Sequence, residues 1–266
     1  MQRVKRVLMC RPTYFDVEYI INPHMKPHAV DQALAMQQWE GLVAALESQG
    51  VKVEIIEQKP DVPDMVFATD QGIVEGGTVL MANFRYPERK PETRYYRAWF
   101  REHGFEPREL TKIFNFEGGD ALFVGKMLIV GTGFRANVAS CEELADNLGI
   151  DVVPVRLVDP LFYHLDTCFL PLDADTAFYY PPAFSENSQG LLKKLIPNLH
   201  EMSRTEAEGF SANSLVSGDT VILQAGNPTF RKKLEKLGRK VIEVEVGEFN
   251  KSGGGIHCLI NTLEKT

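Results

Sequence analysis

Cys258 stands at the end of a glycine run, in GGGIHCLIN, with His257 immediately before it. Close to a C-terminus, where chains usually fray, three glycines mark a turn or a close approach of backbone to a ligand. Two readings fit the stretch. It is either a loop presenting a reactive thiol or a loop leading into a last strand, IHCLI, whose cysteine is buried like most free cysteines. Four other polar stretches carry residue types that could serve such a thiol. PDMVFATDQG holds Asp64 and Asp70, NFEGGDALF holds Glu117 and Asp120, YHLDTCF holds His164 and Asp166, and FSANSLV holds Asn213.

Each stretch alone has an ordinary explanation, as a solvated acid, a tight turn or an edge histidine. If HLDT is extended, His164 and Asp166 lie two residues apart and project to one face. Together the stretches suggest more. A nucleophilic cysteine needs a proton acceptor and a setting that favours the thiolate. A group of carboxylates supplies the opposite field and raises the thiol pKa, so the cluster calls for a cation. Hard metal ions suit carboxylate oxygens, and so does a planar guanidinium, which carboxylates grip through paired hydrogen bonds. The cysteine decides between them: a nucleophile beside a guanidinium cage implies attack on the guanidinium carbon, with the substrate's charge helping to form the thiolate.

Composition removes other classes. The formal charge of −7, from 29 Lys and Arg against 36 Asp and Glu, argues against a nucleic-acid surface. No apolar stretch reaches membrane-spanning length. The basic start, MQRVKRVLMCRPT, has too short an apolar run for a signal peptide and reads as a first strand. Cys10, Cys141, Cys168 and Cys258 form no CxxC pair, and the six histidines form no HExxH, so neither a zinc ribbon nor a disulfide framework is expected. Free thiols point to a reducing, cytoplasmic setting. No cofactor is expected.

The elements that must position these residues recur. Apolar spacings of three and four predict helices at DQALAMQQWEGLVAALESQG, ETRYYRAWFREHG, VASCEELADNLG, SENSQGLLKKLIPN and TFRKKLEKLG. Their centres lie roughly 45–55 residues apart, the range of structural repeats. Between them lie KRVLMC, VKVEII, GIVEGGTVLMANF, GGDALFVGKMLIVG, DVVPVRLV, TCFLPLDADTAFYY, NSLVSGDTVILQAG and KVIEVEV, several of them two strands about a turn such as GK, DAD or SGD. The alternation predicts an α/β protein. About five copies of the unit could close around a pseudo-symmetry axis, strands inside and helices outside. Closure would leave no free sheet edge at the ends of the chain and would aim the loops at one central spot, with GGGIHC as the last spoke.

In order along nearly the whole chain, PDMVFATD, EGGDALF, GTGFR, HLDT and GGGIHCL resemble the motifs of the guanidino-group modifying (pentein) superfamily, which holds arginine deiminases, arginine dihydrolases, dimethylargininases and amidinotransferases. The resemblance implies a single domain over 1–266, a five-bladed α/β-propeller of ββαβ units. It implies Cys258 as nucleophile, His164 as general acid and base, and Glu117 as the carboxylate positioning both His164 and the guanidinium. Asp70 and Asp166 become the guanidinium clamp. Arg135 in GTGFR becomes the partner of the substrate's α-carboxylate, with Arg89 in PERKPE as a second candidate. Phe67, Asn22 and Asn213 become further substrate contacts. Metal is not part of the implied site.

Two departures sort the branches. Dimethylargininases generally carry Lys where this chain has Asp166, and a dimethylated nitrogen has no N–H for a second carboxylate, which favours arginine itself. YFDVEYIINPHM resembles the arginine dihydrolase branch, yet that branch uses Asn where this chain has Asp70. The expected activity is cysteine-dependent hydrolysis of the guanidinium of arginine or a close derivative, through an amidino-thioether, giving citrulline or ornithine with ammonia or an amine. The alternatives are a dimethylargininase, an amidinotransferase, or a non-catalytic propeller that binds a cationic ligand or partner. The expected partner is a small guanidino amino acid, with neither nucleic acid nor membrane; a homo-oligomer is compatible with the sequence.

Overall fold

Four hairpins of the chain form as the alternation and turn residues predict, and each runs on through a helix into a third strand. The first pair is β1 (Val4–Arg11) and β2 (Lys52–Glu57), flanking α1 (Gln32–Ser48). The first hairpin is β3 (Gly72–Glu75) and β4 (Thr78–Met81), followed by α2 (Glu92–Glu102) and β5 (Glu106–Glu109). The second is β6 (Ala121–Val124) and β7 (Met127–Thr132), with α3 (Ser140–Leu148) and β8 (Val152–Arg156). The third is β9 (Phe169–Pro171) and β10 (Thr176–Tyr179), with α4 (Glu186–Leu195) and β11 (Asn198–Glu201), after which comes the short α5 (Arg204–Glu208). The fourth is β12 (Leu215–Ser217) and β13 (Thr220–Gln224), with α6 (Pro228–Lys236) and β14 (Lys240–Val244). A short α7 (Gly247–Asn250) and β15 (Asn261–Lys265) end the chain. The structure is a computed structural model and describes residues 2–110 and 114–266.

These strands make five sheets of three, in the orders β3-β4-β5, β6-β7-β8, β9-β10-β11, β12-β13-β14 and β15-β1-β2. In every sheet the middle strand pairs antiparallel with the first and parallel with the third, and the helix makes the crossover between the parallel pair. A parallel pair needs such a crossover, because a tight turn cannot reverse the chain twice. The result is a five-bladed α/β-propeller of ββαβ units. In the fifth blade the last strand joins the first. β15 lies antiparallel to β1, with Val7 opposite Thr262 and Leu8 opposite Asn261. Arg3 and Thr266 exchange backbone hydrogen bonds of 2.8 and 2.9 Å. The terminal segment is therefore the last spoke of a closed ring.

Each helix turns an apolar stripe onto its sheet. Asp31 caps α1 by accepting from the Leu34 N–H at 3.0 Å, and Trp39, Leu42 and Leu46 are buried beneath it. In α3 the stripe is Cys141 and Leu144, and Gly149 ends the helix in the left-handed conformation at φ 64°. Burying each such leucine stabilises the fold by about 1.5–3 kcal/mol.

The structure departs from the sequence reading in three places. IHCLI is not a strand: residues 256–259 form a turn, with the Ile260 N–H donating to the His257 carbonyl at 3.0 Å, and β15 starts only at Asn261. The glycines before the turn let the backbone fold back instead of extending. HLDT is not extended either. His164 is, at φ −118° and ψ 153°, but Leu165–Thr167 is a single 3-10 turn, so His164 and Asp166 do not share a face by strand period. The outer strands β5 (EPRE) and β11 (NLHE) escaped the sequence reading because, as mostly exposed third strands, they are polar and lack alternation.

The first strand of each blade is entered through a loop that carries one of the polar stretches. Asp70 precedes β3, Glu117 and Asp120 precede β6, His164 and Asp166 precede β9, Asn213 precedes β12, and Cys258 precedes β15. Five-fold repetition thus brings these loops to one end of the axis. Two of the loops cross at close range: a Cβ on Gly118 would lie 2.0 Å from the Thr69 carbonyl oxygen. Since the obstacle is backbone, Gly118→Ala is expected to lower stability by about 1–3 kcal/mol, read as a fall in the denaturation midpoint at unchanged slope.

Candidate active site

Glu117 is the residue around which the site is arranged. It is fully buried, and its Oε2 accepts from Arg135 Nη1 at 2.9 Å and lies 2.9 Å from His164 Nε2. Its Oε1 accepts from the Arg85 backbone N–H at 3.1 Å. Burial alone would raise this carboxyl, but Arg135 and the His164 hydrogen bond outweigh it and hold Glu117 well below the usual carboxylate range. For His164, burial would lower the pKa; the negative field of Asp70 and the bond to Glu117 reverse that and push it up to about 9. The imidazole is thus held as its cation near neutral pH. Its other nitrogen, Nδ1, has no hydrogen-bond partner within the protein and lies 3.5 Å from Asp70 Oδ1.

Asp70 is steered by a second arginine. Arg89 donates from Nη1 to Asp70 Oδ2 at 2.5 Å, and from Nε and Nη2 to the Glu92 carboxylate at 2.9 Å each. Nη2 also reaches the Asp64 carbonyl at 3.1 Å. Arg89 is neither solvated nor free: it is 3% exposed and sets the direction of Asp70. Sequence reasoning missed Glu92; the three-residue spacing of Arg89 and Glu92, at the start of α2, is the signal that could have found it.

Arg135, 2% exposed, lies between the rings of Tyr86 and Tyr163, at 4.7 and 4.6 Å, and donates from Nη2 to the Ile21 carbonyl at 3.1 Å. Asn22 is occupied, donating to the Ser252 carbonyl at 3.0 Å across the site and accepting from the His24 N–H of its own loop at 3.0 Å. This loop between β1 and α1 therefore touches both Arg135 and the glycine run. The Phe67 ring lies where a Cβ on Gly254 would be, 2.2 Å from Cε1. Glycine is required there by the ring itself.

The thiol sits on the opposite side. Cys258 is 1% exposed. Asn213 Nδ2 donates to its Sγ at 3.1 Å, and the Cys258 N–H donates to Asn213 Oδ1 at 3.1 Å, so the backbone fixes which end of the amide faces sulfur. Expected as a substrate contact, Asn213 thus stands against the sulfur. Sγ also lies 3.4 Å from Asp166 Oδ2, which is 2.9 Å from His257 Nδ1. Burial, then Asp166 and Asp70, raise the thiol pKa well above its ordinary value, in the direction the carboxylate cluster predicts. Cys168 is buried too, with Sγ on the His164 and Leu165 carbonyls, and serves the packing of its blade.

His164 and Asp166 thus meet different partners, one Glu117 and Asp70, the other Cys258 and His257. The turn between them is fixed by Asp120, a residue with no role in the sequence reading. Asp120 accepts from the Leu165 N–H at 3.3 Å and the Ala136 N–H at 3.0 Å, tying three loops together. Three of the buried polar atoms that lack a hydrogen-bond partner among the described residues belong to these side chains: Asp70 Oδ1, Asp166 Oδ1 and His164 Nδ1. A Cβ on Gly119 would lie 2.7 Å from both Asp70 Oδ1 and His164 Nδ1, so the absent side chain is what leaves space at those atoms. An unpaired carboxylate oxygen and a cationic N–H beside that space can take a planar cation and protonate a group leaving it. Among the described residues, no group of three or more His, Cys, Asp and Glu is arranged to hold a metal ion, and no helix is long and apolar enough to cross a membrane.

Comparison with known proteins agrees with this fold. The chain is 39% identical over 261 residues to the bifunctional arginine dihydrolase/ornithine cyclodeaminase ArgZ of Synechocystis sp., covering 96% of this chain but 37% of that protein. It is 38% identical to the N(G),N(G)-dimethylarginine dimethylaminohydrolase of Mycobacterium tuberculosis, over 98% of this chain and 86% of the relative. The N-terminal domain of ArgZ, solved as a cysteine-to-serine mutant bound to its substrate, superposes with a TM-score of 0.94 at 38% identity, covering 97% of each chain. A second mutant of that domain was solved covalently bound to a reaction intermediate. The family model for eukaryotic N,N dimethylarginine dimethylhydrolase matches residues 12–265. This chain belongs to that dimethylargininase family.

Proposed function

We propose that the protein is a cysteine-dependent hydrolase acting on the guanidinium of free arginine or a close derivative. The observation that carries this reading is the set of three buried, unpaired polar atoms, Asp70 Oδ1, Asp166 Oδ1 and His164 Nδ1, close to the Cys258 thiol. A guanidinium would pair with both oxygens and bring its carbon to sulfur. Its positive charge offsets the carboxylate field that keeps the thiol protonated. Cys258 releases its proton to water and attacks the carbon as the thiolate, which takes a proton back when the cycle closes. His164, cationic and held at Nε2 by Glu117, gives its Nδ1 proton to the departing nitrogen. An amidino-thioether forms. The neutral imidazole next takes a proton from water, whose oxygen adds to the same carbon, and the thiolate leaves. Arg135, with tyrosine rings on two sides, is the proposed partner of the α-carboxylate. The relatives named for arginine dihydrolase and for dimethylarginine hydrolysis support the class of reaction. The free thiols support a reducing, cytoplasmic setting.

A second reading, hydrolysis of dimethylarginine, is favoured by the description of the matching family model. Asp166 argues for unmethylated arginine. Its Oδ2 already serves His257 and Cys258, and its Oδ1 has no hydrogen-bond partner among the described residues. A dimethylated nitrogen offers that oxygen no N–H. Leaving a buried charged acceptor unpaired costs more than the roughly 1–3 kcal/mol of a neutral group, a preference for arginine of at least about tenfold in kcat/KM. Both substrates, assayed side by side, test this. Asp166→Ala is expected to weaken arginine turnover more than any residual dimethylarginine turnover. A wild-type preference for dimethylarginine would overturn the clamp argument.

The nucleophile is tested by Cys258→Ser, expected to cut turnover by at least about a thousandfold with the fold intact, while Cys168→Ser keeps activity. Equal activity of the two variants would remove Cys258 from the mechanism.

The cationic state of His164 also has a stability consequence. Its folded pKa of about 9 lies above the ordinary value, so its contribution is fully present below about pH 6.5 and is lost as pH rises toward 9. Unfolding free energies at pH 6 and pH 9.5 are expected to differ by on the order of 2–4 kcal/mol in favour of the lower pH. The difference should shrink in Glu117→Gln, which removes one of the two carboxylates holding the cation.

A further inference from the structure

Asn213 touches the sulfur with a neutral amide. The residue is fully buried, and both polar atoms of the amide have partners. Oδ1 accepts from the Cys258 N–H at 3.1 Å, while Nδ2 donates to the Asp166 carbonyl at 3.3 Å and to Cys258 Sγ at 3.1 Å. Two of these partners admit a single role, since a backbone N–H only donates and a carbonyl only accepts. A flipped amide would set donor against donor and acceptor against acceptor. Nδ2 is therefore the atom at the sulfur.

The backbone around it is shaped to hold this contact. A Cβ on Gly255 would lie 2.9 Å from Asn213 Oδ1 and 3.2 Å from the Asn213 Cβ, so the third glycine of the run clears the place that the amide occupies. The Asn213 N–H donates to the Phe210 carbonyl at 3.1 Å. Phe210 itself is left-handed at φ 56°, a conformation costly for an aromatic residue and kept only where the surroundings enforce it. The Asn213 carbonyl accepts from the His257 N–H at 3.1 Å, one residue before the cysteine.

The carboxylates around the sulfur oppose its ionisation. Asp166 Oδ2 lies 3.4 Å away, with His257 beside it at 2.9 Å, and Asp70 acts from across the space, next to His164. The Tyr163 hydroxyl is spent on the Gly253 carbonyl at 3.0 Å. Burial, Asp166 and Asp70 raise the thiol pKa, whereas hydrogen bonds from the Gly255 backbone and from Asn213 lower it. A guanidinium in the pocket offsets the carboxylates, yet its carbon rather than an N–H must face the sulfur for attack. A donor to the sulfur has to come from the protein.

We propose that Asn213 is a catalytic residue, the amide donor that stabilises the Cys258 thiolate. The inference rests on the hydrolase reading. When the S–H bond breaks, its electron pair stays on sulfur and the proton goes to water. The Nδ2 hydrogen bond is weak toward a neutral thiol and becomes charge-assisted toward the thiolate. Asn213 keeps its own protons throughout. Because the bond strengthens as charge gathers on sulfur, it lowers the barrier instead of tightening substrate binding. The same donor meets the charge again when the thioether breaks and the thiolate is set free.

Two variants separate this role from mere support. Asn213→Asp keeps an oxygen for the Cys258 N–H but has no donor for the sulfur. Asn213→Ala removes the donor without adding charge. Both are expected to lower kcat for arginine by roughly ten- to a hundredfold at neutral pH. Both should also move the acidic limb of the kcat profile, which reports ionisation in the substrate complex, up by about one to two pH units. KM is expected to stay within about threefold of wild type. A support role alone would spare the Asp variant, and a substrate contact would raise KM at unchanged kcat. A folded Asp variant with wild-type kcat overturns the proposal, and so does a raised KM with an unmoved acidic limb. If the Asp variant does not fold, the position of the limb in the Ala variant decides alone. An inactive wild type, or a fully active Cys258→Ser, would instead overturn the hydrolase reading beneath it.

Discussion

Two buried carboxylates, Glu117 and Asp70, each meet an arginine at hydrogen-bonding distance, and both flank one imidazole. An isolated charge in such a place would be neutralised or would unfold the site. Breaking a buried pair costs about 3–5 kcal/mol because the surviving charge is left uncompensated. Arg135 and Arg89 therefore make the carboxylates tolerable, and the carboxylates make His164 a cation. Removing either arginine would leave the imidazole facing an altered field, so these side chains form one electrostatic unit.

The unit is incomplete by design of its geometry. Asp166 stands beside the two paired acids with no arginine or lysine bonded to it among the described residues, while burial pushes the pKa of the neighbouring Asp120 up to about 8. The remaining deficit is one of positive charge, located where Asp70 Oδ1 and Asp166 Oδ1 point without partners. This couples binding to reactivity. Burial, then the negative field of Asp166 and Asp70, raise the pKa of the Cys258 thiol, and in the proposed reaction the arriving cation offsets that field. A buried thiol in that state is a poor target for electrophiles that carry no matching charge, and selectivity follows from activation as much as from fit.

Close packing at the axis has its own requirement. The loops ahead of the five inner strands approach so nearly that side chains are excluded at several of their glycines: Gly118 faces the Thr69 carbonyl, Gly119 faces Asp70 and His164, and Gly254 faces the Phe67 ring. The Thr69 N–H donates to the Cys258 carbonyl at 3.1 Å and Thr69 Oγ1 to the Ile260 carbonyl at 2.5 Å, so the loop that carries Asp70 is bonded directly to the loop that carries Cys258. Cys258 is held near the chain end because β15 completes the blade that β1 begins. Fraying there is opposed by the pairing of two strands and by two loops.

The amino-acid order alone determined the repeat, since helix periodicity and strand–turn–strand patterns depend on near neighbours. It also determined which residue types the loops would carry: a lone late cysteine after glycines, a histidine and acids at matching points of the repeat. The polar outer strands β5 and β11 stayed hidden because their pairing comes from a neighbour distant in sequence rather than from alternation of their own. The local shapes of IHCLI and HLDT were misread for a related reason. Both segments look extended by composition, but hydrogen bonds within the turn and to Asp120 bend them. Only the tertiary structure decided the pairings: Glu117 between Arg135 and His164, Arg89 on Asp70 rather than in solvent, Asn213 on the sulfur, and His257 joined through Asp166 to the thiol. Such contacts arise when five loops far apart in sequence meet at one axis, and their energies depend on burial and distance, which no local pattern encodes.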